Sequence, residues 1–214
     1  MAKIIVVRHA ESIANTLGIF QGQTYNTGLS PLGKKQAKAL ARKLSFFEVD
    51  KIISSPLKRT KETAEKVAKI GGWEVAYDDK IIETNHGVWE GKDKGWIEKN
   101  YGRIYKTWLT SPSKVIFHGG ENFLRTVERV KNFIHDRSWK GSTLLITHDN
   151  IIRIMVCLAK NLSIDEMWNV YIEPASISVF KIVGIDGSKK LSVISLNEAS
   201  HLGEFRADIT KHAL

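Results

Sequence analysis

Ile4-Ile5-Val6-Val7-Arg8-His9 is the stretch that decides the fold. Four consecutive β-branched apolar residues predict a short strand that is buried on both faces. An arginine and a histidine follow it, and ligands of open α/β sheets bind beyond the carboxyl ends of the strands. A second buried run, Thr143-Leu144-Leu145-Ile146, leads in the same way to Thr147-His148. The two runs predict a pocket at one sheet edge, where a histidine can attack a bound anion.

Strand and helix patterns alternate along the rest of the chain, with no linker, repeat or low-complexity tract. The further predicted elements are helices at 30–44, 55–70, 121–137, 149–160 and 164–169 and strands at 51–54, 73–77, 142–147, 176–183 and 191–196. The last two strands are expected to form a hairpin around Asp186-Gly187. This order predicts an α/β fold: a three-layer sandwich whose mostly parallel central sheet is flanked by helices on both faces. We expect a single domain over residues 1–214.

Residues 84–118 break the pattern, because they are irregular, aromatic and basic. We interpret them as a small cap or loop segment over the pocket, with one or two short helices. Its six lysines and arginines are candidates for holding a second acidic group, but a solvated loop surface is the simpler interpretation. We expect its two histidines, His86 and His118, to be structural or exposed.

Composition excludes several classes of protein. A hydrophobic fraction of 43% excludes a disordered chain, and no apolar stretch has the length that spans a bilayer. The single cysteine, Cys157, lies in an apolar helical stretch and is expected to be a core side chain. With no signal-peptide pattern, the expected location is the cytoplasm and no membrane partner is expected.

The chain carries a net charge of +9, and residues 34–69 hold eleven lysines and arginines against four acidic residues. Such a surface attracts phosphorylated metabolites or nucleic acid, whereas solvated helix faces explain it equally simply. Aromatic residues are not interleaved with this run, as they are on surfaces that bind single strands. We therefore expect no nucleic-acid partner.

Five residues in strand-end or loop contexts have the chemistry that phosphoryl transfer to a histidine requires: Arg8, His9, Arg59, Glu83 and His148. The reaction needs a neutral imidazole, fixed cations around the phosphoryl oxygens, and an acid for the leaving oxygen. Each residue also has an ordinary structural explanation, such as a surface ion pair or a helix cap. Their combination and order favour the catalytic interpretation.

The same residues lie in blocks that resemble the histidine phosphatase superfamily, which includes the cofactor-dependent phosphoglycerate mutases. The resemblance covers almost the whole chain and rests on Val7–Ser12 with Asn15, Leu29–Gly33, Asp50–Thr60, Ile82-Glu83 with Gly87–Gly91, Gly119–Glu121, Leu145–His148 and Asn197 with His201-Leu202.

This resemblance implies roles for matched positions. His9 is expected to be the phosphorylated nucleophile, and Glu83 the acid that protonates the leaving group and then activates water. Arg8, Arg59 and His148 are expected to bind the phosphoryl oxygens. Additional substrate contacts are expected from Asn15 and, on weaker grounds, from Gln21. Neither a metal nor another cofactor is implied, because protein cations take that place.

Two positions depart from the family pattern. Ala10 replaces the usual glycine after the first histidine, and a small effect is expected. Asp149 replaces the glycine after the second histidine, where a carboxylate repels phosphate. We expect the Asp149 side chain to turn outward and cap the following helix. If it faces the pocket instead, dianion affinity is expected to be poor and Asp149→Gly to improve it.

The resemblance leaves the reaction open. Mutases of the family carry a longer insertion before the Gly-Gly-Glu block, whereas residues 92–118 alone separate Gly91 from Gly119 here. The phosphatase branch is therefore favoured, acting on small phosphorylated metabolites such as phosphoglycerate or sugar phosphates, with broad specificity as an option. A mutase-type phosphotransferase and a basic binding protein on an inactive scaffold are the alternatives. The oligomeric state is open, with a homodimer as one option.

Overall fold

A computed structural model describes residues 2–185 and 188–213 of the 214-residue chain. Within these ranges the strands are β1 (Lys3–Arg8), β2 (Lys51–Ser54), β3 (Val75–Tyr77), β4 (Ser142–Thr147), β5 (Ile177–Ile185) and β6 (Ser188–Glu198). The α-helices are α1 (Ile13–Thr16), α2 (Pro31–Leu44), α3 (Lys58–Gly71), α4 (Lys94–Thr110), α5 (Phe123–His135) and α6 (Asp149–Lys160). Short 3₁₀ turns connect them, among them Asp79–Ile81, Gly87–Trp89 and Ile164–Asn169.

The described strands form one sheet in the order β3-β2-β4-β1-β5-β6. The first four are parallel, β5 pairs antiparallel with β1, and β6 pairs antiparallel with β5, giving a mixed sheet. The predicted α/β class and its largely parallel sheet are confirmed, and so is the pairing of the last two strands. The predicted turn at Asp186-Gly187 lies outside the described residues.

The buried side chains of β1 and β4 point alternately to the two faces of the sheet, so the core has two layers. Ile4, Val6 and Leu145 pack with the residues of α5 and α6 on one face of the sheet. Ile5, Val7 and Leu144 pack with α2 and α3 on the other face. Because successive residues of a strand point to opposite faces, one apolar run supplies both cores. The three-layer arrangement follows from this double burial.

Residues 84–118 are more regular than their sequence indicates. Helix α4 occupies 17 of them, and its two halves meet at a kink at Tyr101, where φ is −136°. Ile97, Tyr105 and Trp108 are buried on its inner face. The expected short helices are present as the two halves of α4, but the segment is less irregular than expected, because its aromatic side chains anchor the helix to the core.

In the described residues, no helix combines the length and the apolar character that crossing a membrane requires.

Candidate active site

The register of the sheet places the two strand-end histidines side by side. Arg8 of β1 pairs with Thr147 of β4, and His9 N–H donates to the Thr147 carbonyl at 2.9 Å. The ring centroids of His9 and His148 are therefore 5.3 Å apart, at an interplanar angle of 62°. Both histidines are buried, with exposed fractions of 3% and 0%. The predicted convergence of the two strand ends is present in the fold.

His9 lines a narrow cavity at this edge of the sheet, with an empty space of about 410 Å³ including its open mouth. The lining residues are Arg8, His9, Asn15, Ile19, Phe20, Gln21, Gly22, Arg59, Glu83, His86, Asp149, His212 and Ala213. All the predicted site residues are in this wall except His148, which lies behind His9.

The hydrogen bonds of His9 define its tautomer. Its Nδ1 lies 2.8 Å from the Ala10 carbonyl, which is an acceptor only, so Nδ1 carries the proton. Nε2 therefore holds the lone pair, and it accepts a hydrogen bond from Arg59 Nε at 3.2 Å. Burial, and then the charges of Arg59 and Arg8, keep the pKa of His9 well below its usual value. The ring is thus neutral, with its lone pair directed to a buried guanidinium.

Arg59 lies in the first turn of α3 and is 1% exposed. Its Nη2 donates to the Gly22 carbonyl at 2.9 Å, while Nη1 is buried with no hydrogen-bond partner among the described residues. Burial lowers its pKa to about 10, so it stays charged at neutral pH. A buried guanidinium with a free donor is suited to an oxyanion.

Glu83 follows the 3₁₀ turn Asp79–Ile81 and is 5% exposed. Burial is the main reason why its pKa rises to about 7, although Thr84 N–H donates to Oε1 at 2.8 Å and opposes that rise. A carboxyl group with this pKa exchanges a proton near neutrality, as a general acid and base must.

His148 caps the start of α6 without lining the cavity. Its Nε2 lies 2.8 Å from Ser55 Oγ, at the loop that follows β2. Its Nδ1 is buried, and no residue in the described ranges bonds to it. Burial, and then Arg59, keep its pKa well below the usual value, so the ring is neutral. The structure gives it a position next to His9, and its predicted contact with the phosphoryl group stays a prediction.

Asn15 and Gln21 lie in the wall formed by the loop after β1. Asn15 Oδ1 accepts from Ser12 N–H at 3.0 Å, and Gln21 Oε1 accepts from Thr27 Oγ1 at 3.1 Å. Ala10 has no positive φ, so the usual glycine is not required by the backbone there. The roles assigned to Asn15 and Gln21 remain predictions.

The expected orientation of Asp149 is wrong. Its side chain is 2% exposed and lines the cavity, and His148 rather than Asp149 occupies the N-cap position of α6. The carboxylate turns inward because two guanidiniums flank it: Arg153 Nε lies 2.6 Å from Oδ2 and Arg8 Nη1 lies 3.2 Å from Oδ1.

Residues 84–118 contribute little to the cavity wall. Only His86 of this segment lines the cavity, and the basic residues are exposed, in agreement with the simpler interpretation of a solvated surface. His86 is buried against Phe117, with ring centroids 4.8 Å apart, whereas His118 is exposed. Burial lowers the pKa of His86 to about 4. Much of the wall instead comes from the loop after β1 and from His212 and Ala213.

His212 and Ala213 are the lining residues that sequence reasoning missed. His212 Nε2 lies 3.8 Å from Glu11 Oε2, and burial lowers its pKa to about 4. No local motif marks His212, since its proximity to His9 depends on the path of the last 3₁₀ turns. Within the described ranges, no group of three or more histidine, cysteine, aspartate or glutamate side chains is arranged to hold a metal ion.

Known proteins that are similar to this chain include phosphatases. Phosphoserine phosphatase 1 of Hydrogenobacter thermophilus is 37% identical over 214 residues, covering 99% of each chain. The adenosylcobalamin/alpha-ribazole phosphatase of Salmonella typhimurium is 25% identical over 198 residues, covering 90% of this chain and 96% of the relative. A solved structure named mycobacterial hydrolase 1 has the same fold, with a TM-score of 0.84 at 23% identity, covering 93% of this chain and all of that one.

The model of the histidine phosphatase superfamily (branch 1) matches residues 4–193, which include every predicted catalytic residue. The predicted enzyme class, a phosphoric monoester hydrolase, is confirmed by this match and by the relatives named as phosphatases. The chain belongs to the histidine phosphatase superfamily, branch 1.

Proposed function

We propose that this chain hydrolyses small phosphate monoesters without a metal ion, through a phosphohistidine formed on His9. The observation that carries the proposal is the state of His9. Its proton is on Nδ1, its Nε2 lone pair points into the cavity wall beside Arg59, and its pKa is too low for protonation at neutral pH. These are the requirements of a nitrogen nucleophile held next to an anion site.

The first step forms a bond between His9 Nε2 and phosphorus and breaks the bond from phosphorus to the leaving oxygen. The electron pair of the broken bond goes to that oxygen, which takes the proton of Glu83. Arg8 and Arg59 stabilise the charge on the phosphoryl oxygens, and as they do so Arg59 gives up its hydrogen bond to Nε2. Positive charge that a metal ion supplies in other phosphatases comes here from guanidiniums.

The second step returns the enzyme to its starting state. Glu83, now a carboxylate, takes a proton from a water molecule whose oxygen attacks phosphorus. The bond between nitrogen and phosphorus breaks, its electron pair returns to Nε2, and inorganic phosphate leaves. The pKa of Glu83, raised to about 7, suits both directions of proton transfer.

The substrate class follows from the cavity and from the relatives. The cavity is narrow, and besides the charged groups its wall carries the amides of Asn15 and Gln21, which suits a small polar substrate. A relative of matching length that is 37% identical is named a phosphoserine phosphatase. We therefore place phosphoserine first among the candidate substrates, ahead of phosphoglycerates and sugar phosphates.

A phosphate-release screen over these metabolites tests the proposal. We expect turnover of at least one of them by the wild type, no effect of EDTA, and loss of turnover in His9→Ala. Loss of activity in EDTA that a divalent cation restores would contradict the metal-independent mechanism. A requirement for a bisphosphorylated metabolite, with phosphate transfer instead of release, would indicate a mutase instead.

A further inference from the structure

The Asp149 carboxylate lies at the edge of the catalytic cavity, where a negative charge is unexpected in a phosphate site. It directly follows His148, on the first turn of α6, and its side chain is 2% exposed. Each of its oxygens faces a different guanidinium: Oδ2 accepts from Arg153 Nε at 2.6 Å, and Oδ1 lies 3.2 Å from Arg8 Nη1. The carboxylate therefore joins a residue of the cavity to one outside it.

Arg153 is itself fixed in place. It lies one helical turn after Asp149, and its Nη1 donates to the carbonyls of Met167 and Val170. Its guanidinium also lies over the Trp168 ring, 5.0 Å from the centroid. An arginine held by two carbonyls and an aromatic ring in this way gives Asp149 a rigid support.

Arg8 depends on this support. Its Nη1 donates to the Ile172 carbonyl at 2.6 Å and faces Asp149, while its Nε is buried with no partner in the part of the chain that the structure describes. Without the carboxylate, one carbonyl would hold a long side chain that must point at phosphoryl oxygens. Loss of Asp149 would also leave two buried guanidiniums, Arg8 and Arg153, without their carboxylate partner.

We propose that Asp149 is a positioning residue: braced by Arg153, it holds the Arg8 guanidinium in the orientation that binds the phosphoryl group. This inference rests on the proposed function, since it assigns a role within the same site. It reverses the effect expected from sequence, where a carboxylate at this position repels phosphate.

The direction in which phosphate affinity changes when the Asp149 charge is removed distinguishes positioning of Arg8 from repulsion of phosphate. The competitive inhibition constant of inorganic phosphate is measured for the wild type and Asp149→Asn, which keeps the size of the side chain and removes its charge. We expect phosphate to bind roughly tenfold more weakly to the variant, because a charge-assisted contact to Arg8 is lost. Because a phosphoryl oxygen contact is weakened, KM is expected to rise as well.

Arg153→Gln provides the second variant, in case Asp149→Asn does not fold. We expect a similar weakening of phosphate binding, and no further weakening in the double variant, because both residues act through Arg8. Asp165→Asn is the matched control. Asp165 is a carboxylate on the neighbouring 3₁₀ turn that bonds to Ser113 instead of Arg8, and phosphate binding is expected to be unchanged.

Three results would overturn the inference. Tighter phosphate binding by Asp149→Asn would show that the carboxylate repels the ligand. An unchanged constant, with turnover lost on poor leaving groups only, would assign Asp149 to proton transfer. Equal, additive losses in the two variants would mean that Arg153 acts independently. Calorimetric titration of the wild type with phosphate distinguishes these results from a failure of the proposed function. It reports phosphate binding directly, whether or not the protein turns over a substrate.

Discussion

Arg59 Nε donates a hydrogen bond to His9 Nε2 at 3.2 Å, so the lone pair that we assign to phosphorus attack is directed at a buried cation. The contact links an arginine in the first turn of α3 to a histidine at the end of β1. Together with burial, it keeps the imidazole neutral. Under the proposed mechanism, an oxyanion bound by this guanidinium would lie next to the nucleophile.

Glu83→Gln tests the assigned acid. The variant cannot donate a proton to the leaving oxygen, so alkyl phosphates are expected to lose about 100-fold or more in kcat/KM, and activated aryl phosphates much less. Steady-state kinetics with one substrate of each kind measures the difference. Equal losses on both would point to another acid. Glu90 and Glu121 are poor candidates, because Glu83 lines the cavity and they do not.

The pH dependence of the first step follows from the same group. Burial raises the pKa of Glu83 to about 7, so the acid form predominates below that pH and is lost above it. The pKa of His9 is depressed, so the nucleophile stays neutral throughout. For alkyl phosphates, kcat/KM is therefore expected to fall by roughly tenfold per pH unit above about pH 7. The account is wrong if Glu83→Gln retains this alkaline limb.

Gly22→Ala tests the loop that supports Arg59. Gly22 has a φ of +53°, and a Cβ there would overlap the Glu90 carboxylate, which accepts the backbone N–H groups of Gln23 and Thr24. Because the Gly22 carbonyl also accepts from Arg59, we expect at least a tenfold loss of kcat/KM in a protein that still folds.

Gly102→Ala is the control for that substitution, since a Cβ at this helical position meets nothing within 4 Å. We expect unchanged activity and a slight gain in stability, because alanine has the higher helix propensity. Equal activity of the two alanine variants would contradict the role given to the Gly22 loop.

Trp108→Ala tests the core under His86. Trp108 is fully buried, and its ring packs edge-on against Phe117, Phe123 and Trp168 at 4.8–5.2 Å. Removing it is expected to lower the free energy of unfolding by about 3–5 kcal/mol, measured by denaturant titration. Trp96→Ala, at a half-buried position on the same helix, should cost less than half as much. Similar losses would mean that the aromatic cluster is not the main anchor of this segment.

Much of the fold and of the site follows from local sequence signals. β1 and β4 were predictable because continuous apolar runs suit strands buried on both faces, and parallel register then brings their ends together. Arg59 and Glu83 were found because each follows a short apolar segment and matches a family block. These inferences need only the order of elements and the edge at which parallel strands end.

The remaining features depend on tertiary contacts that no local pattern encodes. The orientation of Asp149 is determined by Arg8 and Arg153, which come from two different elements. His212 reaches the cavity from the far end of the chain, and His86 becomes a wall residue because an aromatic cluster packs behind it. The length of the kinked helix α4 was underestimated, because its aromatic residues and glycines resemble a loop in sequence.

Direct detection of the phosphorylated residue is the measurement that tests the central claim. Glu83→Gln is mixed with an aryl phosphate, quenched in neutral denaturant and digested for mass spectrometry, because this variant is expected to form the intermediate and hydrolyse it slowly. The account predicts phosphate on the peptide that contains His9, lost after mild acid treatment and absent when His9 is also replaced by alanine. Phosphate on a different residue, or His9→Ala turnover within tenfold of the wild type, would contradict it.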